Sequence, residues 1–249
     1  RIVSSIPGRT LAIGDGANDV CMLTKANIGV GIHGKEGRAA AQAGDIAIPE
    51  FRFLKRLLFF YGCELQRKNA YVVRYNFYKN FVYALPQLVF GMVSGWTGTA
   101  VYETYLSQLF NLLYASLPIV LFALFDLDSE EQELLENHHA TYQISRMGCH
   151  FSAASILITL TEAIAVAVVG SYTLFIVIPL TYTSPNDLDV VESSVLLMFW
   201  VVLVVNIVLL MHVRHTSANL LVNGVATVGL YIGSVKIVGL LSLEISMAF

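Results

Sequence analysis

TLAIGDGANDVCML, residues 10–23, decides how the amino-terminal part of the chain folds. Thr10 to Ile13 read as an apolar strand, Gly14-Asp15-Gly16 as a tight turn, and Asn18-Asp19 open a helix that continues through Val20, Met22 and Leu23. This order sets Asp15 at the carboxyl end of a strand, where open α/β sheets hold their ligands, with Asn18 and Asp19 converging on the same crevice. Oxygen donors flanked by glycines suit Mg²⁺, which keeps several waters and takes one or two carboxylates beside a phosphate. The loop therefore reads as a metal and phosphoryl site, with Asp15 and Asp19 as the metal ligands and Asn18 in support. The alternative, an Asx turn that only caps a helix, would not demand the whole string.

The alternation of strand and helix continues downstream. Ile28-Gly29-Val30-Gly31-Ile32 reads as a short buried strand whose glycines allow close backbone approach. His33 to Gly37 turn the chain into an Ala-rich helix from Arg38 to Ala43, and Asp45 to Ile48 read as a further strand. Residues 1–60 are thus α/β. His33, alone in a glycine-rich turn, reads as a solvated loop residue rather than a ligand.

The remainder has a different composition. The 249 residues are 56% hydrophobic and 13% charged, whereas soluble domains are about half apolar and about a quarter charged, so the chain reads as a membrane protein. Fifteen Lys and Arg against 18 Asp and Glu, a net charge of -3, supply no basic face for nucleic acid. From Phe51 to Lys79 the helical pattern hardly breaks, and residues 61–79 read as a stalk helix whose basic residues, Arg67, Lys68 and Arg74, belong on the cytoplasmic side. Spans are expected near residues 75–95, 105–125, 151–178, 195–211 and 220–243, about five in all. The loop from Ser94 to Val101 and the connection Pro179 to Ser194, with Asp187, Asp189 and Glu192, carry no Lys or Arg and belong on the far side, whereas His212-Val213-Arg214-His215 belongs inside. Cys21, Cys63 and Cys149 then fall on the cytoplasmic side, where thiols stay reduced. The run Glu130, Glu131, Glu133 and Glu136 reads as a solvated segment, and His138, His139, Cys149 and His150 lack zinc-finger spacing.

Within the spans a few polar residues stand out. Lys79 lies inside the first span or at its inner edge, as a functional ionisable group or as a lysine that snorkels to the headgroups. Asn111 reads equally as an interhelical hydrogen-bonding residue or as a lipid contact. Pro118 leaves a backbone carbonyl without its helical partner. Glu162 and Lys236 either pair across the bundle or sit singly at its edge.

Several of these segments resemble one family. GDGANDVCML resembles the Mg²⁺ signature G-D-G-x-N-D of P-type ATPases, and its Ala17 and Val20 are similar to the P4 branch, the phospholipid flippases. The run from Val30 resembles the flippase pattern VGIxGxEGxQA, with Ala39 in place of Gln. Tyr75-Asn76-Phe77-Tyr78-Lys79-Asn80 resembles the Y-x-F-Y-K-N run of the fifth flippase span. Asn111, Ser116-Leu117-Pro118 and Phe125-Asp126-Leu127-Asp128 resemble the sixth, with Ala123 in place of Gly. The match is carried by residues 10–128, and the later spans are similar only in hydropathy and spacing.

The resemblance implies an α-helical membrane bundle (residues 80–249) preceded by the carboxyl-terminal part of an α/β haloacid-dehalogenase-like phosphorylation domain (residues 1–60), with the stalk between them. It implies ATP as substrate, Mg²⁺ at Asp15 and Asp19, Asp15, Asn18 and Asp19 in the catalytic loop, and Lys79, Asn80 and Asn111 in lipid transport. Its partners would be a phospholipid, the remainder of the ATPase and a small two-span accessory subunit, in the plasma membrane or a Golgi or endosomal membrane. The phosphorylation motif D-K-T-G-T does not occur in the 249 residues, so this chain is expected to be the carboxyl-terminal part of a longer flippase and inactive alone. Two other readings are a non-catalytic flippase-like module and a P-type cation pump, which needs intramembrane carboxylates that the span at 105–125 lacks.

Overall fold

The computed structural model describes residues 8–33, 38–126, 135–136, 142–143, 147–148, 150–177, 190–212, 224–236 and 239. The chain divides into two compact units, Arg1–Cys63 with Glu131–Tyr142, and Glu64–Glu130 with Gln143–Phe249.

In the first unit β1 (Leu11–Gly14), a 3₁₀ turn (Ala17–Asp19), α1 (Val20–Lys25), β2 (Ile28–Ile32), α2 (Ala39–Ala43), β3 (Ile46–Ile48) and α3 (Phe53–Arg56) follow in order. The strands form a parallel sheet in the order β1-β2-β3, with Ala12 opposite Gly29, and Gly31 flanked by Gly14 and Ala47. Residues paired across parallel strands share a face, and this one is built only of small residues. A Cβ on Gly29 would lie 2.8 Å from the Leu23 carbonyl oxygen, and one on Gly31 only 2.2 Å from that of Ala40. The backbones of α1 and α2 thus rest directly on the sheet, burying Leu23 and Ala40. Because the obstacle at Gly31 is backbone, Gly31→Ala is expected to destabilise this unit by about 1–3 kcal/mol, readable by thermal unfolding.

The second unit is helical. Its elements are α4 (Gly62–Val93), α5 (Thr104–Leu109), a π turn (Phe110–Tyr114), α6 (Ser116–Phe125), α7 (Ala153–Tyr172) running into a second π turn (Thr173–Val177), α8 (Val190–His212) and α9 over residues 224–236. Among the described residues three helical stretches are long and apolar enough to cross a membrane, Thr104–Phe125, Ala153–Phe175 and Ser193–His212. The span expected near 75–95 is helical but outside that set, since Asn76, Lys79, Asn80 and Gln87 interrupt its apolar run. Of the span expected at 220–243, only 224–236 and 239 are described.

Aromatic and β-branched side chains fill the interior of this unit. Tyr75, Tyr78, Phe110, Tyr114 and Phe122 lie against Leu197, Val201 and Tyr231 in one core. Tyr83 stacks on Tyr102 at 4.5 Å and on Phe110 at 4.9 Å between ring centres. Ala163, Ala167 and Gly170 form a buried stripe along α7, and small residues of this kind let membrane helices approach closely. At its end the Trp200 indole lies over Gly170, where a Cβ would meet Nε1 at 2.3 Å.

Glu162 and Lys236 are both exposed and make no ion pair among the described residues, so the pairing across the bundle is not formed. Cys21 and Cys63 are free thiols, exposed and buried respectively. Cys149, His138, His139, Glu130, Glu131, Glu133, Asp128, Asp187, Asp189, Arg214 and His215, and the turn from Gly34 to Gly37, lie outside the described residues.

Candidate functional site

Two sets of candidate residues take definite form, one in each unit. In the first, β1 ends at Gly14 and the chain turns so that one oxygen of Asp19, Oδ2, accepts from the backbone N–H groups of Asp15 at 3.2 Å and Gly16 at 3.3 Å. The Asp19 N–H donates to the Gly16 carbonyl at 3.2 Å. Gly14 permits this closure, since a Cβ there would stand 2.4 Å from that of Asp19. Asp19 is therefore the residue that shapes the loop. Asp15 and Asn18 are exposed, and the Asp15 carboxylate makes no hydrogen bond to protein among the described residues, which keeps both oxygens open to a ligand.

A hard cation fits this donor set. Asp15 offers a free carboxylate and Asp19 one remaining oxygen, within the one or two carboxylates that Mg²⁺ takes. No group of three or more His, Cys, Asp or Glu side chains able to hold a metal occurs among the described residues.

In the second unit the decisive contact is between α4 and the π turn. Lys79 is buried, with 7% of its surface exposed, and its Nζ donates to Asn111 Oδ1 at 3.2 Å. Lys79 thus stays inside the helical unit, bonded across to a second helix. Asn111 is itself exposed, so it caps the ammonium from the outer side of the unit. Asn80 does not join them. Consecutive residues on a helix do not face each other, and Asn80 is exposed on a different side of α4.

The backbone around Asn111 explains why a polar residue is tolerated there. The π turn closes through the Ala115 N–H to the Phe110 carbonyl at 3.0 Å, and the Ser116 hydroxyl donates to the Asn111 carbonyl. Pro118 has no N–H for the Tyr114 carbonyl, one helical turn back. That carbonyl accepts instead from Asn206 Nδ2 on α8, at 3.2 Å, while the Ala115 carbonyl accepts from the Tyr75 hydroxyl at 3.5 Å. The carbonyl freed by proline is thus paired by a neighbouring helix, as an apolar surround demands. Asn206→Leu is expected to cost about 1–3 kcal/mol of stability, measurable by thermal unfolding in lipid nanodiscs, because it leaves the Tyr114 carbonyl buried and unpaired.

Sequence reading missed Asn206, and the only signal for it was an amide inside a long apolar run. It also missed an ionic cluster at the foot of α4. Arg67 Nη2 donates to Glu64 Oε2 at 3.0 Å and to Asp126 Oδ2 at 2.9 Å, with all three side chains at least nine-tenths buried. Burial works against the Arg67 charge, but hydrogen bonds to the two carboxylates more than offset it and its pKa moves up. Lys68 Nζ donates to the Ala123 carbonyl at 3.1 Å in the last turn of α6, where the helix dipole favours a cation.

Three helical stretches long enough and apolar enough to cross a membrane, among the described residues, define a polytopic membrane protein. Residues 41–248 match the family described as phospholipid-translocating P-type ATPase C-terminal, and the chain belongs to that family. It is 47% identical over 116 residues to phospholipid-transporting ATPase tat-1 of Caenorhabditis elegans, covering 47% of this chain and 10% of that protein. It is 38% identical over 159 residues to phospholipid-transporting ATPase ID of Homo sapiens, covering 64% and 13%. With phospholipid-transporting ATPase 2 of Arabidopsis thaliana it shares 41% over 137 residues, covering 55% and 12%. The matched stretch is thus little more than a tenth of these relatives.

Proposed function

We propose that this chain is the carboxyl-terminal part of an ATP-driven flippase that moves phospholipid from the exoplasmic to the cytoplasmic leaflet through an aspartyl-phosphate cycle. The observation that carries this reading is Lys79, buried in the helical unit on α4 and bonded to Asn111 in the π turn after α5. An intramembrane ionisable residue is by default functional. A lysine repels metal cations and attracts phosphate, which favours a lipid headgroup over a cation as cargo.

On this reading residues 1–60 are the end of the phosphorylation domain, 61–79 the stalk and 80–249 a transmembrane region of about five spans. Asp15 would hold Mg²⁺, and Asp19, committed to the backbone of its own loop, would fix where Asp15 stands. The ion supplies charge neutralisation for the transferring phosphoryl group. The membrane is the plasma membrane or a Golgi or endosomal one, and the far-side loops are the docking face for a small two-span accessory subunit.

The nucleophile of such a cycle lies outside these 249 residues. The purified chain given ATP and Mg²⁺ is therefore expected to form no acid-stable, hydroxylamine-labile phosphoenzyme. Sequencing the transcript upstream of the Arg1 codon is expected to find D-K-T-G-T in frame with further spans. A start codon close to Arg1 would instead favour a non-catalytic membrane module.

A further inference from the structure

A small chamber lies among α4, α7 and α8, and neither Lys79 nor Asn111 lines it. Tyr71, Arg74 and Tyr78 line it from α4, Thr159 and Glu162 from α7, and His212 from the end of α8. Three polar atoms on these walls, the Tyr71 and Tyr78 hydroxyls and Arg74 Nε, are buried without a hydrogen-bond partner. The two tyrosines are 8% and 2% exposed. Such a cluster of orphaned groups is costly in any protein interior and more so between membrane helices.

The protein groups nearby do not supply the missing partners. Among the described residues Arg74 makes no ion pair with Glu162. The Thr159 hydroxyl donates to its own helix at the Ser155 carbonyl, at 2.9 Å, and His212 Nδ1 is bonded to the Val208 carbonyl at 2.9 Å. The Arg74 guanidinium lies 5.8 Å from the centre of the Tyr71 ring, a contact that leaves Nε–H free to donate in the ring's neighbourhood. The chamber has about 20 Å³ of room. A single water needs about 10–15 Å³ on this scale and two to four polar partners, whereas a lipid headgroup is many times larger.

We propose that the chamber is a binding site for one ordered water that joins α4 to α7. Arg74 Nε–H and one tyrosine hydroxyl donate to the water oxygen, and the water donates to the other tyrosine hydroxyl and to the Glu162 carboxylate. This assigns Glu162 a hydrogen-bonding role on the α7 wall of the chamber, and it holds whatever the chain transports.

The test is the sign of a stability change in the 249-residue chain in lipid nanodiscs. If the water bridges the hydroxyls, Tyr71→Phe and Tyr78→Phe each lower the melting temperature by about 2–4 °C, the shift for one hydrogen bond in a chain of this size. The double variant then loses less than the sum, because both hydroxyls share one water. A dry chamber gives the opposite sign, since removing an unpaired buried hydroxyl relieves a cost. A melting temperature equal to or above that of the unaltered chain in both variants would overturn the proposal. Should either variant fail to fold, a crystal structure of the unaltered chain from a lipid mesophase decides. Water density within hydrogen-bonding reach of both hydroxyls supports the site, and an empty chamber refutes it.

Discussion

Arg67→Ala is expected to lower the stability of the helical unit by about 3–5 kcal/mol, the cost of stripping one partner from a buried ion pair. Asp126 is fully buried and Glu64 nearly so, and both carboxylates take their charge-assisted hydrogen bonds from the same nitrogen, Nη2. Removing it strips both buried carboxylates of the guanidinium that they share. Because a single nitrogen serves both acceptors, Arg67→Lys is expected to retain much of the stability, while Arg67→Met behaves like the alanine variant. Thermal unfolding of the three variants in nanodiscs checks this. An Arg67→Met variant as stable as the unaltered chain would show that the cluster holds nothing together.

The second large effect belongs to Lys79. In the full-length protein carrying this chain, Lys79→Ala is expected to slow phospholipid-dependent turnover by about tenfold to a hundredfold, the worth of a charge-assisted hydrogen bond of about 1.5–3 kcal/mol. Asn111→Leu removes the partner and keeps the charge, leaving the ammonium buried with no acceptor at Asn111. It is expected to slow turnover less than Lys79→Ala when headgroup phosphate replaces the lost acceptor. Asn80→Ala is expected to change little, because Asn80 lies off the Lys79–Asn111 contact. Lipid-stimulated ATPase activity measured against basal activity separates these outcomes.

The parts of this structure that were legible in the sequence are local. Gly-Asp-Gly before Asn-Asp announces a strand, a turn and a helix because turn chemistry acts over four or five residues. The alternation from β1 to β3 follows for the same reason. Lys79 was conspicuous because a charge in an apolar run has few explanations. What the sequence did not disclose depends on register and distance along the chain. Arg67 and Asp126 are 59 residues apart, and Asn206 is 92 from the carbonyl it pairs. The π turns at Phe110–Tyr114 and Thr173–Val177 insert a residue into a helix whose hydrophobic pattern stays helical. Asn80 adjoins Lys79 in the motif, and at about 100° per residue the two stand on different sides of α4, with Asn80 exposed. The stripe of Ala163, Ala167 and Gly170 was visible at helical spacing, but small residues carry little hydropathy signal, and only the packing against Trp200 gives Gly170 its reason.

The most direct test is transport itself, with the full-length protein reconstituted in proteoliposomes containing fluorescent phospholipids and given ATP and Mg²⁺. The expected result is ATP-dependent movement of phospholipid to the leaflet on the side of the Asp15 loop, abolished by Asp15→Asn and strongly reduced by Lys79→Ala. ATP-driven movement of a metal cation with no redistribution of lipid would contradict the assignment, as would lipid movement indifferent to Lys79.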